Sequence, residues 1–317
     1  MRSIISSILR LGIANHKDRA KKIKNADIFY YSGISAAILD SEQQKNLILT
    51  GTTSVMSAFD FNYRSQLHSN KKISQFLFKE VNKNVLDILS SGQYILGGNL
   101  LKLEEKFANH IGTKYAIGCN SGTDALLISL RAMNIGPGDE VITSPFSYFA
   151  TAEVIALTGA RPVFADINPH TFNINHKLIE KLITKKTKAI IPVHLYGQAC
   201  EITEIRKICR KYNLTLIEDC AQSFGAKMNN QFTGTFGQFG CFSFFPTKNL
   251  GCAGDGGMVV TNSLQKAKIL KKLRNHGGLV RNKHEYVGYN SRLDEIQASI
   301  LLTKLKIINS INKKRIK

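Results

Sequence analysis

Between residues 115 and 261 the chain alternates short apolar runs with stretches of helical apolar spacing, and this alternation narrows its fold more than any other feature. Residues 115–118, 140–143, 162–165, 189–193, 215–218, 240–244 and 256–261 read as strands. Residues 123–133, 149–158, 176–183 and 202–212 read as the helices between them, and 76–89 and 101–110 as two helices that precede them. The pattern predicts an α/β fold, with a mostly parallel sheet between two helix layers: an α/β/α sandwich. Sheets of this kind bind ligands just beyond the carboxyl ends of their strands.

Composition closes off several other functions. The chain has 317 residues, 43% of them apolar, which is a globular composition. Its net charge of +20 invites a nucleic-acid partner. However, residues 263–317 carry 14 Lys and Arg against 3 Asp and Glu, so +11 of the excess lies there, scattered among Ile, Leu and Asn. Without interleaved aromatics this is a set of solvated faces, so no nucleic-acid partner is expected. No apolar stretch approaches the roughly 20 residues of a membrane span, and none is expected. The six cysteines form no CxxC pair, so reduced thiols in a cytoplasmic protein are expected, with no metal.

Residues 1–55 differ from the rest. Arg2, Arg10, Lys17 and Arg19 decorate a serine-containing apolar start that resembles an amphipathic presequence, but acidic residues follow soon after and no cleavage signal is evident. These residues carry no recognisable chemistry and read as an extension of unknown role. Met56 opens a segment that makes sense as a domain edge. The expected domains are therefore the extension at 1–55, a large α/β domain at 56–280 and a further segment at 281–317.

Lys248 is the most informative single residue. It follows Ser243-Phe244-Phe245-Pro246-Thr247 on a short loop and precedes the glycine-rich run 251–257. About thirty residues earlier, the apolar strand at 215–218 ends in Asp219. This spacing suits a pyridoxal phosphate (PLP) enzyme. The lysine amine can form a Schiff base with the cofactor aldehyde, and the aspartate can pair with the pyridinium nitrogen so that the ring acts as an electron sink. A lysine on a loop is otherwise simply solvated. Asn120-Ser121-Gly122-Thr123-Asp124 follows one strand and opens a helix, so Gly122 lets backbone amides approach a phosphate and Thr123 offers a hydroxyl. The same residues also make an ordinary helix cap. Tyr148 can stack on a flat ring or fill a rim. Ser243 can bind phosphate or simply end a strand. Gln222 can reach a phenolic oxygen or a substrate hydroxyl, or lie on the surface. His194 is equally open between a structural and a functional role.

Taken in order, six blocks carry a resemblance: 91–97, 121–126, 192–197, 218–223, 243–248 and 288–298. Together they resemble the DegT-type nucleotide-sugar aminotransferases, a PLP-dependent family of fold-type I, from about residue 56 onward. The resemblance implies that Lys248 forms the internal aldimine and Asp219 pairs with the pyridine nitrogen. Tyr148 would stack on the ring and Gln222 would lie near its phenolic oxygen. Gly122, Thr123 and Ser243 would hold the phosphate. Asn290 would reach the phosphate in a neighbouring subunit, because the family forms homodimers with shared sites. The implied activity is ping-pong transfer of an amino group from glutamate to a keto-sugar linked to a nucleoside diphosphate.

The stretches 94–97 and 221–226 look closest to enzymes acting on UDP-2-acetamido-2-deoxy-3-oxo-glucuronate, with dTDP-3-keto-6-deoxyhexose enzymes a near alternative. Both imply surface polysaccharide or glycan synthesis. Related PLP-family dehydratases replace the lysine with histidine, so Lys248 argues against that chemistry. Residues 312–317 read as the middle of a helix where the family continues into a small C-terminal domain. The segment 281–317 is therefore expected to be the start of a truncated one, with a catalytically inactive chain as a further alternative.

Overall fold

The computed structural model describes residues 79–280 and 282–315, so the readings made for residues 1–55 and for the start of the first helix lie outside them. Residues 79–91 are helical. The chain then runs through α1 (Gly98–Ile111), β1 (Tyr115–Cys119), α2 (Gly122–Ala132), β2 (Glu140–Thr143), α3 (Ala150–Leu157) and β3 (Arg161–Phe164). Next come α4 (His176–Ile179), β4 (Thr187–Ile191), α5 (Ile202–Lys211) and β5 (Thr215–Asp219). The remainder is β6 (Lys227–Met228), β7 (Gln231–Phe232), β8 (Phe239–Ser243), β9 (Gly257–Thr261), α6 (Leu264–Leu273), α7 (Glu295–Leu305) and α8 (Ile308–Arg315).

Seven strands form one sheet in the order β1-β9-β8-β5-β4-β2-β3. All pairs are parallel except those made by β9, which runs against both β1 and β8. The period-two alternation of a strand explains how both sheet faces are buried. Ile117, Val259, Cys241, Ile217 and Ala189 point to one side, where they pack with apolar residues of α2, α3 and α6. Their neighbours Ala116, Val260, Phe242 and Met258 point to the other, against α1, α7 and α8. On that same side Leu216, Ile190 and Ile142 meet Ile202, Ile205 and Ile208 of α5. The result is the expected sandwich around a mostly parallel sheet.

Three details differ from the sequence reading. The helix expected over 176–183 is one α turn followed by a 3-10 turn at Glu180–Leu182. Thr184 stops it, because its hydroxyl donates to Glu140 Oε2 at 2.7 Å and its amide to Thr187 Oγ1 at 2.9 Å. The strand expected at 189–193 runs from Thr187 to Ile191. A two-stranded hairpin, β6–β7, is an addition. Its turn residues Asn229 and Asn230 both have positive φ, which asparagine tolerates better than most residues.

Candidate active site

The carboxyl ends of β1, β8 and β5 lie side by side, separated only by the start of β9. Gly257, the first residue of β9, stands opposite both Cys119 and Ser243. Contact here is tight. A Cβ on Gly257 would lie 2.2 Å from the Ser121 carbonyl, and a Cβ on Gly122 would lie 2.6 Å from Ser243 Cβ. Both positions therefore need glycine. Ser121 caps α2 by accepting the Asp124 amide at 3.0 Å. Helix geometry leaves the Gly122 and Thr123 amides without an intrahelical carbonyl. Those amides, the positive helix end and the Ser243 hydroxyl make a cradle suited to an anion.

Asp219 ends β5 and is buried. Its Oδ1 accepts the Ala221 amide at 3.0 Å and its Oδ2 the Thr151 hydroxyl at 2.9 Å. Burial pushes its carboxyl above the usual range, while the Ala221 amide, Thr151 and the nearby Lys248 pull it back. A carboxylate offers about four acceptor positions. Two are used by protein, so Asp219 retains capacity for a cationic N–H. The loop after β8 brings Lys248 round, its amide donating to the Phe245 carbonyl at 2.8 Å. Burial holds its amine below the ordinary lysine range, and the attraction of Asp219 only partly opposes this. A lowered amine is the form able to attack a carbonyl.

The other expected residues differ in their surroundings. Gln222 lies three residues past Asp219, and its Oε1 accepts the Tyr196 amide at 2.8 Å. What Gln222 offers a ligand is therefore its NH₂ group. Tyr148 is 74% exposed, its ring open to solvent before α3. Asn290 is exposed and bridges Asn275 through the backbone; the adjacent Ser291 hydroxyl accepts from the Asn120 amide at 3.4 Å.

His194 is structural in its contacts. Its Nδ1 accepts the Cys200 amide at 3.1 Å, so the proton belongs on Nε2, which donates to Glu218 Oε2 at 3.0 Å. Glu218 also accepts the amides of Gly234, Phe236 and Gly237 at 2.7 to 2.8 Å. His194, Glu218 and Cys220 are the one metal-like cluster among the described residues. All the acceptor positions of Glu218 are already occupied, which makes it an anchor for the 234–237 loop.

Sequence reading missed Thr151, Glu218 and Glu295. The buried Glu295 accepts the amides of Gly97, Asn99 and Leu100, each at 2.9 Å, and so caps α1 from far along the chain. Each of these pairings spans 16 or more residues, so no local pattern marks them. All six cysteines are buried and free, and burial pushes the Cys220 thiol up to about 11. No helix among the described residues is long and apolar enough to cross a membrane.

The family model for the DegT/DnrJ/EryC1/StrS aminotransferase family matches residues 76–317. The UDP-2-acetamido-2-deoxy-3-oxo-D-glucuronate aminotransferase of Pseudomonas aeruginosa is 48% identical over 228 residues, 72% of this chain and 64% of that one. A UDP-N-acetyl-3-dehydro-alpha-D-glucosamine 3-aminotransferase of Acidithiobacillus ferrooxidans is also 48% identical, over 74% of this chain and 63% of that one. The solved structure of DesV from S. venezuelae superposes with a TM-score of 0.74 at 41% identity, covering 76% of this chain and 65% of that one. That of ntda from Bacillus subtilis, with bound cofactor PMP, gives 0.70 at 35% identity, covering 73% and 53%. The chain spans under two thirds of the length of these relatives. The cofactor of this family is PLP, and the anion cradle, buried carboxylate and low-lying amine described above fit its phosphate, ring nitrogen and aldehyde. The chain belongs to the DegT/DnrJ/EryC1/StrS aminotransferase family.

Proposed function

We propose that this chain holds PLP beyond the ends of β1, β5 and β8. On this reading it serves an aminotransferase that moves the amino group of glutamate to the keto-sugar of a nucleoside diphosphate. The observation that supports this reading is the mutual attraction of buried Asp219 and Lys248, with Asp219 paired to Cys241, two residues before the Ser243 that meets Gly122. PLP supplies an aldehyde for covalent attachment and an electron sink for the bonds at an amine-bearing carbon. The Gly122 and Thr123 amides and the Ser243 hydroxyl take its phosphate. Asp219 would pair with the ring nitrogen and favour its protonated form. Gln222 directs its NH₂ to the phenolic oxygen, and Tyr148 covers the ring. Lys248 Nζ would hold the cofactor at its aldehyde carbon and, when free, would serve as the base and acid for the donor's α-proton. Asn290 reaches the phosphate of a second subunit in a homodimer with shared sites.

The substrate that fits best is UDP-2-acetamido-2-deoxy-3-oxo-glucuronate, supported by the Pseudomonas relative. A dTDP-3-keto-6-deoxyhexose is the second reading, supported by a dTDP-3-amino-3,6-dideoxy-alpha-D-galactopyranose transaminase of Aneurinibacillus thermoaerophilus at 45% identity. On either reading the protein would work in the cytoplasm, in surface polysaccharide or glycan synthesis. Residues 56–280 then form the cofactor domain and 281–317 open a C-terminal small domain.

The test is the visible spectrum of the purified protein with PLP beside that of Lys248→Ala. The expected result is a band distinct from free PLP that is lost in the variant and bleaches with glutamate. A wild-type spectrum identical to that of free PLP overturns the reading.

A further inference from the structure

We infer that Asn312 is a positioning residue, whose one side chain ties the Lys248 loop to the segment that follows Asp219. This rests on the reading of Lys248 and Asp219 given above. Asn312 lies on α8, outside the cofactor cradle. Its Nδ2 donates to the Phe224 carbonyl at 3.3 Å, and its Oδ1 accepts from Asn249 Nδ2 at 3.2 Å. A carbonyl can only accept, so Phe224 fixes the amide's orientation and leaves the oxygen for Asn249. Asn249 is the neighbour of Lys248, and Phe224 lies five residues past Asp219 and two past Gln222.

The approach is close enough to shape the chain around it. Gly225 has φ +90°, and a Cβ there would lie 2.4 Å from Asn312 Nδ2. Glycine at 225 therefore satisfies both the left-handed turn and the entry of this amide. Two further side chains brace the same loop from α7. Gln297 Oε1 accepts the Ala253 amide at 2.8 Å, and Lys304 Nζ donates to the Gly251 carbonyl. Those two hold only the loop after Lys248. Asn312 also joins it, through the Phe224 carbonyl, to the segment that follows Asp219. The packing beneath is firm, since Ile308 and Ile311 of α8 are buried with Phe107, Phe224 and Phe244. This amide therefore sets the separation of amine and carboxylate at one remove.

The experiment is amide hydrogen exchange on the whole protein for wild type, Asn312→Leu, Asn312→Asp and Leu103→Ala. Leu103 is buried in the same apolar cluster and touches neither segment through a polar group. Asn312→Leu should speed exchange in both 221–226 and 249–254 by about tenfold. Asn312→Asp keeps the acceptor for Asn249 and loses the donor to Phe224, so exchange should rise in 221–226 alone. Leu103→Ala should lower Tm without selecting either segment. The inference is overturned if Asn312→Leu leaves both segments protected, or opens them only as Leu103→Ala does. With PLP added, Asn312→Leu should also shift the pH midpoint of the bound-cofactor band, and an unmoved midpoint overturns the positioning role. The exchange result stands without cofactor, so a wild-type protein that fails to bind PLP overturns the proposed function and leaves this inference to be judged by exchange.

Discussion

The hydroxyl of Thr151, in the first turn of α3, donates to Asp219 Oδ2 at 2.9 Å. One helix start thereby steadies the ionised form of a carboxylate that burial opposes. Thr151→Val keeps the shape and removes the donor. Hydrogen bonds to charged groups are worth about 1.5–3 kcal/mol. Its loss should move Asp219 further above the usual carboxylate range and weaken PLP binding by about tenfold or more, as read by equilibrium dialysis. An unchanged Kd would sink this account of Thr151.

Asp219 itself should show a trade between stability and binding. Its folded value lies above the ordinary 3.8. The stability contributed by its protonated form is therefore fully present below pH 3.8 and is lost as pH rises through the raised folded value. At neutral pH the cofactor-free protein carries a buried carboxylate at a cost. Asp219→Asn should then need more urea to unfold than wild type near pH 7, with the gap closing as pH falls toward 4. The same variant should not retain PLP. A gap of constant size across this range would remove burial of the charge as its cause.

The cradle makes a steric prediction. Gly122→Ala places a methyl 2.6 Å from Ser243 Cβ. Overpacking of this kind costs about 1–3 kcal/mol. Thermal unfolding should fall accordingly, and PLP affinity with it. Gly122→Ala combined with Ser243→Gly removes the clash and should recover the melting temperature. It should not recover affinity, because the hydroxyl is gone. Equal recovery of both would show that Ser243 contributes only bulk.

Glu218 should be among the least replaceable residues that touch no ligand. Its two oxygens take three amides and His194 Nε2. Glu218→Gln turns an NH₂ toward donors and leaves buried amides unpaired, at about 1–3 kcal/mol each. Chemical denaturation should show a loss of at least about 2 kcal/mol, with little change when His194 is then replaced. Independent, additive losses would mean that the two residues do not act as one network.

The strands were legible because each is a short, nearly continuous apolar run, as burial on both faces requires, and the ends of two of them gave Asp219 and Ser243 directly. The direction of β9 was not legible. Nothing local in residues 257–261 distinguishes a strand running down the sheet from one running up it. The helix end at Ile179 was hidden for a related reason, since the group that stops it is Glu140, on another strand. Thr151, Glu295 and Asn312 act on residues 60 or more positions away, and a threonine on an apolar helix gives no sign of the carboxylate above it. Lys248 could be found because its partners are strand ends; Asn312 could not, because its partners are loops.

The place of β9 between β1 and β8 has a consequence for how the protein is made. Among the described residues, β1 pairs with β9 alone. As the chain leaves the ribosome, residues 115–119 emerge early but find no ladder partner until 257–261 have been synthesised. The anion cradle is thus assembled from the two ends of a long wait, with β1 left as an open edge in between. Such an edge invites pairing with another nascent chain. The interval of elongation between residues 119 and 257 is thus one in which β1 lacks its β9 partner.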